Sequence, residues 1–125
     1  NGVFGITKEG KAFLLTTAEC PSPATLRYAT QSGPMLLVKG VINAQFKQGS
    51  ANLNIRNGVG ILPDGRVVFA ISGEPVNFFD FASWFKEQGC TDALYLDGAI
   101  SRAYIPEAGV DQRDGRLGVL IAVTQ

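Results

Sequence analysis

The feature that most constrains the fold is the tripeptide Pro63-Asp64-Gly65, which lies between two apolar, β-rich runs at residues 59–62 and 66–72. Proline, aspartate and glycine each favour a position in a tight turn, and the two flanking runs have the length of strands. This combination predicts a β-hairpin, so the chain is expected to contain antiparallel sheet.

Other segments extend this prediction to the rest of the chain. A second hairpin is predicted around Gly10, and further strands are expected, so that the predicted strands outside the first hairpin cover residues 3–7, 12–16, 35–38, 41–46, 93–96 and 117–124. The last of these is expected to be central because it is apolar on both faces. Two helices are predicted, at residues 24–30 and 78–88, from N-cap signals and helical spacing of aromatic residues. The fold class is therefore α+β, with a mixed or mainly antiparallel sheet and two helices.

The composition excludes several classes of function. The 125 residues suffice for one domain, and 11 basic and 11 acidic side chains cancel without forming blocks, so a nucleic-acid partner is not expected. No apolar run approaches the roughly 20 residues of a membrane span. The chain has no histidine, which removes Ser-His-Asp triads and His-ligated zinc, and no motif calls for a metal or another cofactor. Proton transfer must therefore fall to Asp, Glu, Tyr, Lys or Cys.

The two cysteines, Cys20 and Cys90, leave two possibilities open. Their spacing matches neither a metal site nor a redox motif. They could form a disulfide in an oxidising compartment, or remain two free, partly buried thiols.

Two segments carry residues suited to chemistry. Arg56-Asn57-Gly58-Val59-Gly60 places a guanidinium and exposed backbone N–H groups at the start of a strand, where they could hold an anion such as phosphate. Asp97-Gly98 places a carboxylate at the end of a buried strand. The alternatives are a solvated arginine before a Gly-rich strand and an ordinary Asp-Gly turn.

Residues near these segments are weaker candidates. Ser101 and Arg102 follow Asp97 closely enough to line the same cleft, as do Tyr104 and Glu107. For Arg102, Tyr104 and Glu107, an exposed loop flank is the better explanation. Gln31-Ser32-Gly33-Pro34 could present polar groups from a tight turn. The alternative is that these residues only end the preceding helix.

Taken together, these motifs resemble the phosphodiester glycosidase family. The resemblance rests on their order along nearly the whole chain: Gln31-Ser32-Gly33-Pro34-Met35, Arg56-Asn57-Gly58-Val59-Gly60-Ile61, Leu96-Asp97-Gly98-Ala99-Ile100-Ser101 and a closing strand at residues 118–123. Two departures are visible. Ala99 and Ile100 stand where the family often has glycines, and Asn1-Gly2-Val3 matches the family's Asn-Gly-Gly segment only superficially. We therefore expect a single domain, residues 1–125, that forms the C-terminal part of a longer protein.

The resemblance implies a hydrolase that splits a sugar-1-phosphodiester, monomeric or polymeric, in the periplasm or outside the cell. It implies that Arg56 clamps the phosphodiester, that Asp97 is nucleophile or general base, and that Ser101 hydrogen-bonds the sugar or the carboxylate. The remaining substrate-binding residues implied are Asn57, Gly58, Gly98, Arg102, Gln31 and Ser32. The alternative is a non-catalytic module of the same fold that binds a carbohydrate or a cell-envelope polymer.

Overall fold

The N-terminal part of the chain forms a three-stranded antiparallel sheet. The computed structural model describes residues 1–96, 99–116 and 118–124. Strands β1 (Gly2–Thr7), β2 (Ala12–Thr16) and β3 (Leu26–Ser32) are arranged in the order β2-β1-β3. The first two form the hairpin predicted around Gly10, whose φ is +85°.

A five-stranded sheet and one α-helix form the rest of the core. The strands are β4 (Met35–Val38), β5 (Val41–Ile42), β6 (Asn57–Ile61), β7 (Val67–Ile71) and β8 (Asp92–Tyr95), in the order β5-β4-β8-β6-β7. Every pairing in this sheet is antiparallel. Helix α1 spans Phe78–Glu87, and a small hairpin of β9 (Tyr104–Ile105) and β10 (Val110–Asp111) follows.

The alternation of side chains along β8 divides the core into two layers. Ala93 and Tyr95 pack with Phe81 and Phe85 of α1 on one face of the five-stranded sheet. Leu94 packs on the other face, in a cluster that also includes Phe4 of β1. Because successive strand residues point to opposite faces, one strand serves both clusters, and the order of layers is helix, five-stranded sheet, three-stranded sheet.

Glycines in β6 allow the helix to lie directly on the sheet. A Cβ at Gly58 would come within 2.9 Å of the Leu94 carbonyl oxygen, and one at Gly60 would come within 2.8 Å of the Phe85 ring. Both approaches are closer than van der Waals contact. The glycines that the sequence presents beside Arg56 are therefore required by packing against Phe81 and Phe85.

The hairpin of β6 and β7 and the helix α1 confirm the strongest sequence predictions. Asn57 to Ile61 pair in register with Ile71 to Val67. Asn77 caps α1, since its side-chain oxygen accepts a hydrogen bond from the Asp80 N–H at 2.8 Å. The α+β class and the mainly antiparallel sheet are confirmed as well.

The prediction of a second α-helix at residues 24–30 is wrong, because the described residues contain α1 as their single α-helix. The start signal at Ser22-Pro23 produces only a 3₁₀ turn, Pro23–Thr25, and the chain then enters β3. Tyr28 and Thr30 favour a strand, and β3 pairs with β1 along its length, so sheet pairing overrides the local helix signal.

Two predicted strands also differ from the structure. The strand expected at residues 41–46 ends at Ile42, because the Asn43 side chain donates to the Met35 carbonyl and accepts from the Gln45 N–H, which bends the chain into a turn. The strand expected at residues 117–124 is absent from its described part, residues 118–124, which are exposed and include Leu120 at 73% exposure. Residue 117 lies outside the described residues.

Neither cysteine is bridged. Cys90 is buried in the cluster under α1, while Cys20 is half-buried. Within the described residues, no helix has the length and apolar character needed to cross a membrane.

Candidate active site at the ends of β6 and β8

Three strands of the five-stranded sheet meet at the end where the predicted site residues lie. The N–H of Tyr95, at the end of β8, donates to the Pro34 carbonyl, and the next N–H, of Leu96, donates to the Asn57 carbonyl, both at 3.1 Å. The Ser32 hydroxyl donates to the Leu96 carbonyl. Because antiparallel strands run in opposite directions, the end of β8 lies beside the starts of β4 and β6. Asp97 and Gly98 follow Leu96 and lie outside the described residues, so their roles stay predictions.

Arg56, immediately before β6, is anchored by its own backbone and by its side chain. Its N–H donates to the Ser72 hydroxyl at 2.9 Å, and its carbonyl accepts from the Ser72 N–H at 2.8 Å. Its Nε donates to the Val76 carbonyl at 2.8 Å, and its Nη2 donates to the Asn52 carbonyl at 3.0 Å. The side chain therefore ties loop 52–56 to the segment that leads into α1.

The guanidinium of Arg56 is buried against aromatic rings. Its Cζ lies 3.7 Å from the centre of the Phe78 ring and 5.5 Å from that of Tyr95, and the residue is only 2% exposed. Within the described part of the chain no carboxylate pairs with it. Its third nitrogen, Nη1, has no acceptor there, and no fully buried side-chain nitrogen of the described residues lacks a partner. Nη1 is therefore the atom at which this cation reaches the surface.

Ser101 is held in a chain of hydrogen bonds next to Arg56. The Asn57 Nδ2 donates to the Ser101 hydroxyl at 2.8 Å, and that hydroxyl donates to the Ile55 carbonyl at 3.3 Å. Ser101 is 7% exposed. An amide nitrogen and a carbonyl oxygen do not accept a proton from serine, so neither neighbour can activate it as a nucleophile. The geometry instead makes Ser101 a hydrogen-bonding group beside Asn57.

The sequence model of the phosphodiester glycosidase family matches residues 1–119. This chain belongs to the phosphodiester glycosidase family. The match covers the anchored arginine, the Asn57 and Ser101 pair and the segment containing Asp97.

Individual proteins are similar to this chain in sequence or in fold. The chain is 46% identical over 81 residues to the uncharacterized protein YigE of Escherichia coli (strain K12), a match that covers 64% of this chain and 32% of YigE. Its fold is similar to that of the catalytic domain of zebrafish N-acetylglucosamine-1-phosphodiester alpha-N-acetylglucosaminidase, solved as a form auto-inhibited by its pro-peptide. That similarity has a TM-score of 0.56 at 21% identity and covers 78% of this chain and 39% of the zebrafish chain.

A hypothetical protein from Synechocystis is similar at a TM-score of 0.44 and 16% identity, over 78% of this chain and 28% of that one, which is too low to support an argument. The matches to YigE and to the zebrafish enzyme cover 32% and 39% of those proteins, so this chain corresponds to a portion of each.

The other described residues predicted to bind substrate in this member of the phosphodiester glycosidase family lie outside the group formed by Arg56, Asn57 and Ser101. Gly58 is buried beneath α1. Arg102 is turned toward Asp114, with its Nε 3.0 Å from that carboxylate, and its Nη1 donates to the Ser101 carbonyl at 3.0 Å. The hydrogen bond from Arg102 lowers the pKa of Asp114 below its ordinary value. Arg102 thus supports the backbone at Ser101, while Tyr104 lies exposed in β9 and Glu107 lies exposed in the turn between β9 and β10.

Two clefts lie on either side of the chain segment at residues 43–46. A groove of about 670 Å³ is lined by Asn1, Thr17, Gln31 and Asn43 over an apolar floor that includes Met35. Gln31 is thus separated from Arg56 and Ser101 and opens into this groove. A smaller cleft of about 190 Å³, called here the Lys47 cleft, lies between loop 45–52 and the start of α1 and is lined by Gln45, Phe46, Lys47, Ser50, Asn52 and Phe78.

Sequence reasoning did not single out the residues of the Lys47 cleft. Lys47, Ser50 and Asn52 belong to a polar segment that the sequence predicts as a loop, and their only signal is the change from apolar to polar composition after residue 46. Among the described residues, no cluster of three or more His, Cys, Asp or Glu side chains could hold a metal ion.

Proposed function

We propose that this protein hydrolyses the glycosidic bond of a sugar-1-phosphodiester. The observation that carries the proposal is the anchoring of Arg56, whose Nε and Nη2 are held by two backbone carbonyls while no described residue supplies an acceptor to Nη1. A charge fixed in this way does not have to reorganise as negative charge develops on a leaving phosphate. The family membership supplies the chemical class of substrate.

In the proposed reaction, the bond between C1 of the sugar and the phosphate oxygen breaks, and the oxygen of a water molecule ends on C1. The electron pair of the broken bond leaves with the phosphate monoester, next to Arg56. Asp97 acts as nucleophile or general base, because the chain has no histidine to do so. Ser101, whose hydroxyl hydrogen is donated to the Ile55 carbonyl, orients the sugar by accepting a hydrogen bond from a sugar hydroxyl beside Asn57.

The first test is turnover. The full-length protein is incubated with a nucleotide sugar, an aryl sugar-1-phosphodiester and a neutral aryl glycoside, and release of free sugar is measured. We expect release from at least one phosphodiester. Binding of a sugar phosphate without any turnover would contradict the proposal and favour a carbohydrate-binding or envelope-polymer-binding module.

Two substitutions test the roles. Asp97→Asn removes the charge but keeps the shape, so turnover should fall by at least about 100-fold. The matched control is Asp64→Asn, in the exposed Asp-Gly turn of the β6–β7 hairpin, which should leave turnover unchanged. Near-normal turnover in Asp97→Asn would remove this residue from the mechanism.

Arg56→Lys keeps a positive charge but loses the planar fork, and it should impair phosphodiester turnover more than turnover of the neutral glycoside. Arg66→Lys, at a side chain that is 75% exposed, is its control. Equal losses on both substrates would mean that Arg56 supports the fold and not the phosphate.

A further inference from the structure

We propose that the Lys47 cleft binds the phosphate group of the substrate, and that Lys47 is the accessible cation of this subsite. The inference rests on the proposed function, which requires a phosphate-bearing ligand. Arg56 is buried and offers one nitrogen, so a dianionic or diester phosphate needs additional donors from the surface.

The chemistry of the cleft lining suits an anion. Lys47 supplies an ammonium group, Ser50 a hydroxyl and Asn52 a side-chain amide, while no carboxylate is among the lining residues. Within the described residues Lys47 forms no ion pair. Asp80, the acidic residue in the first turn of α1, accepts a hydrogen bond from Asn77 Nδ2 at 2.9 Å and does not line the cleft. The cleft therefore combines a cation with hydrogen-bond donors and has no opposing charge in its wall.

The donors of the cleft are held in place by local hydrogen bonds. The Ser50 N–H donates to the Lys47 carbonyl at 3.2 Å, and the Asn52 N–H donates to the Ser50 hydroxyl oxygen at 3.3 Å. The Asn52 Oδ1 accepts from Asn54 Nδ2 at 2.8 Å. Among the described residues, nothing accepts the hydrogens of Asn52 Nδ2 or of the Ser50 hydroxyl, so these donors can bind a ligand. Because this loop is already held in place, less conformational entropy is lost when an anion binds.

The cleft shares two residues with the Arg56 anchor. The Asn52 carbonyl accepts from Arg56 Nη2, and the Phe78 ring lies under the Arg56 guanidinium and also lines the cleft. The cleft and the Arg56 anchor are therefore adjacent, since Asn52 and Phe78 belong to both. Because a cation next to low-dielectric aromatic surface is poorly screened, the buried charge strengthens the attraction of the cleft for a phosphate.

The volume of the cleft suits a single phosphate group and is too small for a whole substrate molecule. Its volume of about 190 Å³ is below the roughly 300–1,000 Å³ of pockets that enclose a small-molecule ligand. Phe46 and Phe78 are stacked with centroids 5.0 Å apart and give the cleft an apolar wall. The cleft can thus take the phosphate while the remainder of the ligand extends outside it.

The test uses binding, independent of turnover. The full-length protein is titrated with inorganic phosphate and with glucose 1-phosphate, with glucose as the neutral probe, by calorimetry and by NMR of backbone amides. We expect shifts at residues 45–52, and Lys47→Met should weaken phosphate binding at least about tenfold. Lys11→Met, at another exposed lysine, should change it less than about twofold. Unchanged affinity in Lys47→Met, or shifts confined to other residues, would overturn the inference.

Failure of this inference and failure of the proposed function give different results. If phosphate binding depends on Lys47 but no phosphodiester releases sugar, the Lys47 cleft is a phosphate site and the proposed hydrolase activity is wrong. If Lys47→Met releases sugar with an unchanged KM and binds phosphate with unchanged affinity, the hydrolase proposal stands and the Lys47 cleft is not a phosphate site.

Discussion

The Arg56 anchor and the Lys47 cleft share Asn52 and Phe78, yet their polar groups are used in opposite ways. Around Arg56 the protein itself binds two of the three guanidinium nitrogens, through the carbonyls of Asn52 and Val76, and the side chain is buried. Around Lys47 the backbone is fixed by local hydrogen bonds, while the side-chain donors have no protein acceptor among the described residues. A polar group already satisfied by the protein stabilises the fold, and one held in place but unsatisfied is available to a ligand.

The largest expected effect is on stability at Arg56. Arg56→Met leaves the Val76 and Asn52 carbonyls without their charged donor, and hydrogen bonds to charged groups contribute about 1.5–3 kcal/mol each. Because methionine recovers part of the packing on Phe78, we expect a loss of about 3 kcal/mol in the free energy of unfolding. Urea unfolding followed by Trp84 fluorescence measures it. Arg66→Met, at an exposed arginine, should change stability by less than about 0.5 kcal/mol.

An Arg56→Met variant that unfolds at the same urea concentration as wild type would contradict the claim that the buried Arg56 stabilises the fold. Arg56 would then be as dispensable to the fold as a surface arginine. Its buried position near Asn57 would then serve ligand binding and not the stability of the fold.

A smaller loss is expected at Ser101. Ser101→Ala removes the acceptor of Asn57 Nδ2 and the donor to the Ile55 carbonyl in a nearly buried position, so it should cost about 1–2 kcal/mol. Ser22→Ala is a matched control, because Ser22 is exposed and makes no side-chain cap hydrogen bond. Equal stability of Ser101→Ala and wild type would show that this hydroxyl is not needed by the fold.

The structure explains which parts of the fold were predictable. The β6–β7 hairpin and α1 carry local signals, a turn at Gly65 with φ of +87° and a cap at Asn77, and both were predicted correctly. Residues 26–32 follow a helix start signal but become β3, because pairing with β1 involves a strand about 25 positions away. The exposed segment at residues 118–124 is apolar enough for a central strand, but composition does not specify a partner.

The candidate site was predictable to a similar extent. Arg56, Asn57 and Ser101 were selected from two separate segments, and the structure brings them together through the Asn57 to Ser101 hydrogen bond. The Lys47 cleft was missed because it forms between a loop and the first turn of a helix some 30 residues later. No spacing in the sequence reports that contact.

The two thiols extend the same contrast between buried and accessible groups. Cys90 is 4% exposed and its burial raises the pKa of its thiol, while Cys20 is half-buried. Iodoacetamide reacts with the thiolate, so at pH 8 Cys20 should be alkylated first and Cys90 only after unfolding, as read by mass spectrometry. Since the raised pKa keeps Cys90 protonated in the fold, stability should fall as the pH rises above about 8.5, where the unfolded thiol ionises. Equal alkylation rates would contradict the burial of Cys90.

The smallest expected effect on stability is at Lys47. It tests the claim that this accessible cation is not used by the fold. Its ammonium group is exposed and has no ion-pair partner among the described residues, so Lys47→Met should change the free energy of unfolding by less than about 0.5 kcal/mol. Wild-type affinity for inorganic phosphate should also fall between 50 and 500 mM NaCl, since salt screens an accessible charge more than a buried one. A stability loss above about 1 kcal/mol in Lys47→Met would mean that the fold already uses this cation, and the distinction between an anchored Arg56 and an available Lys47 would fail.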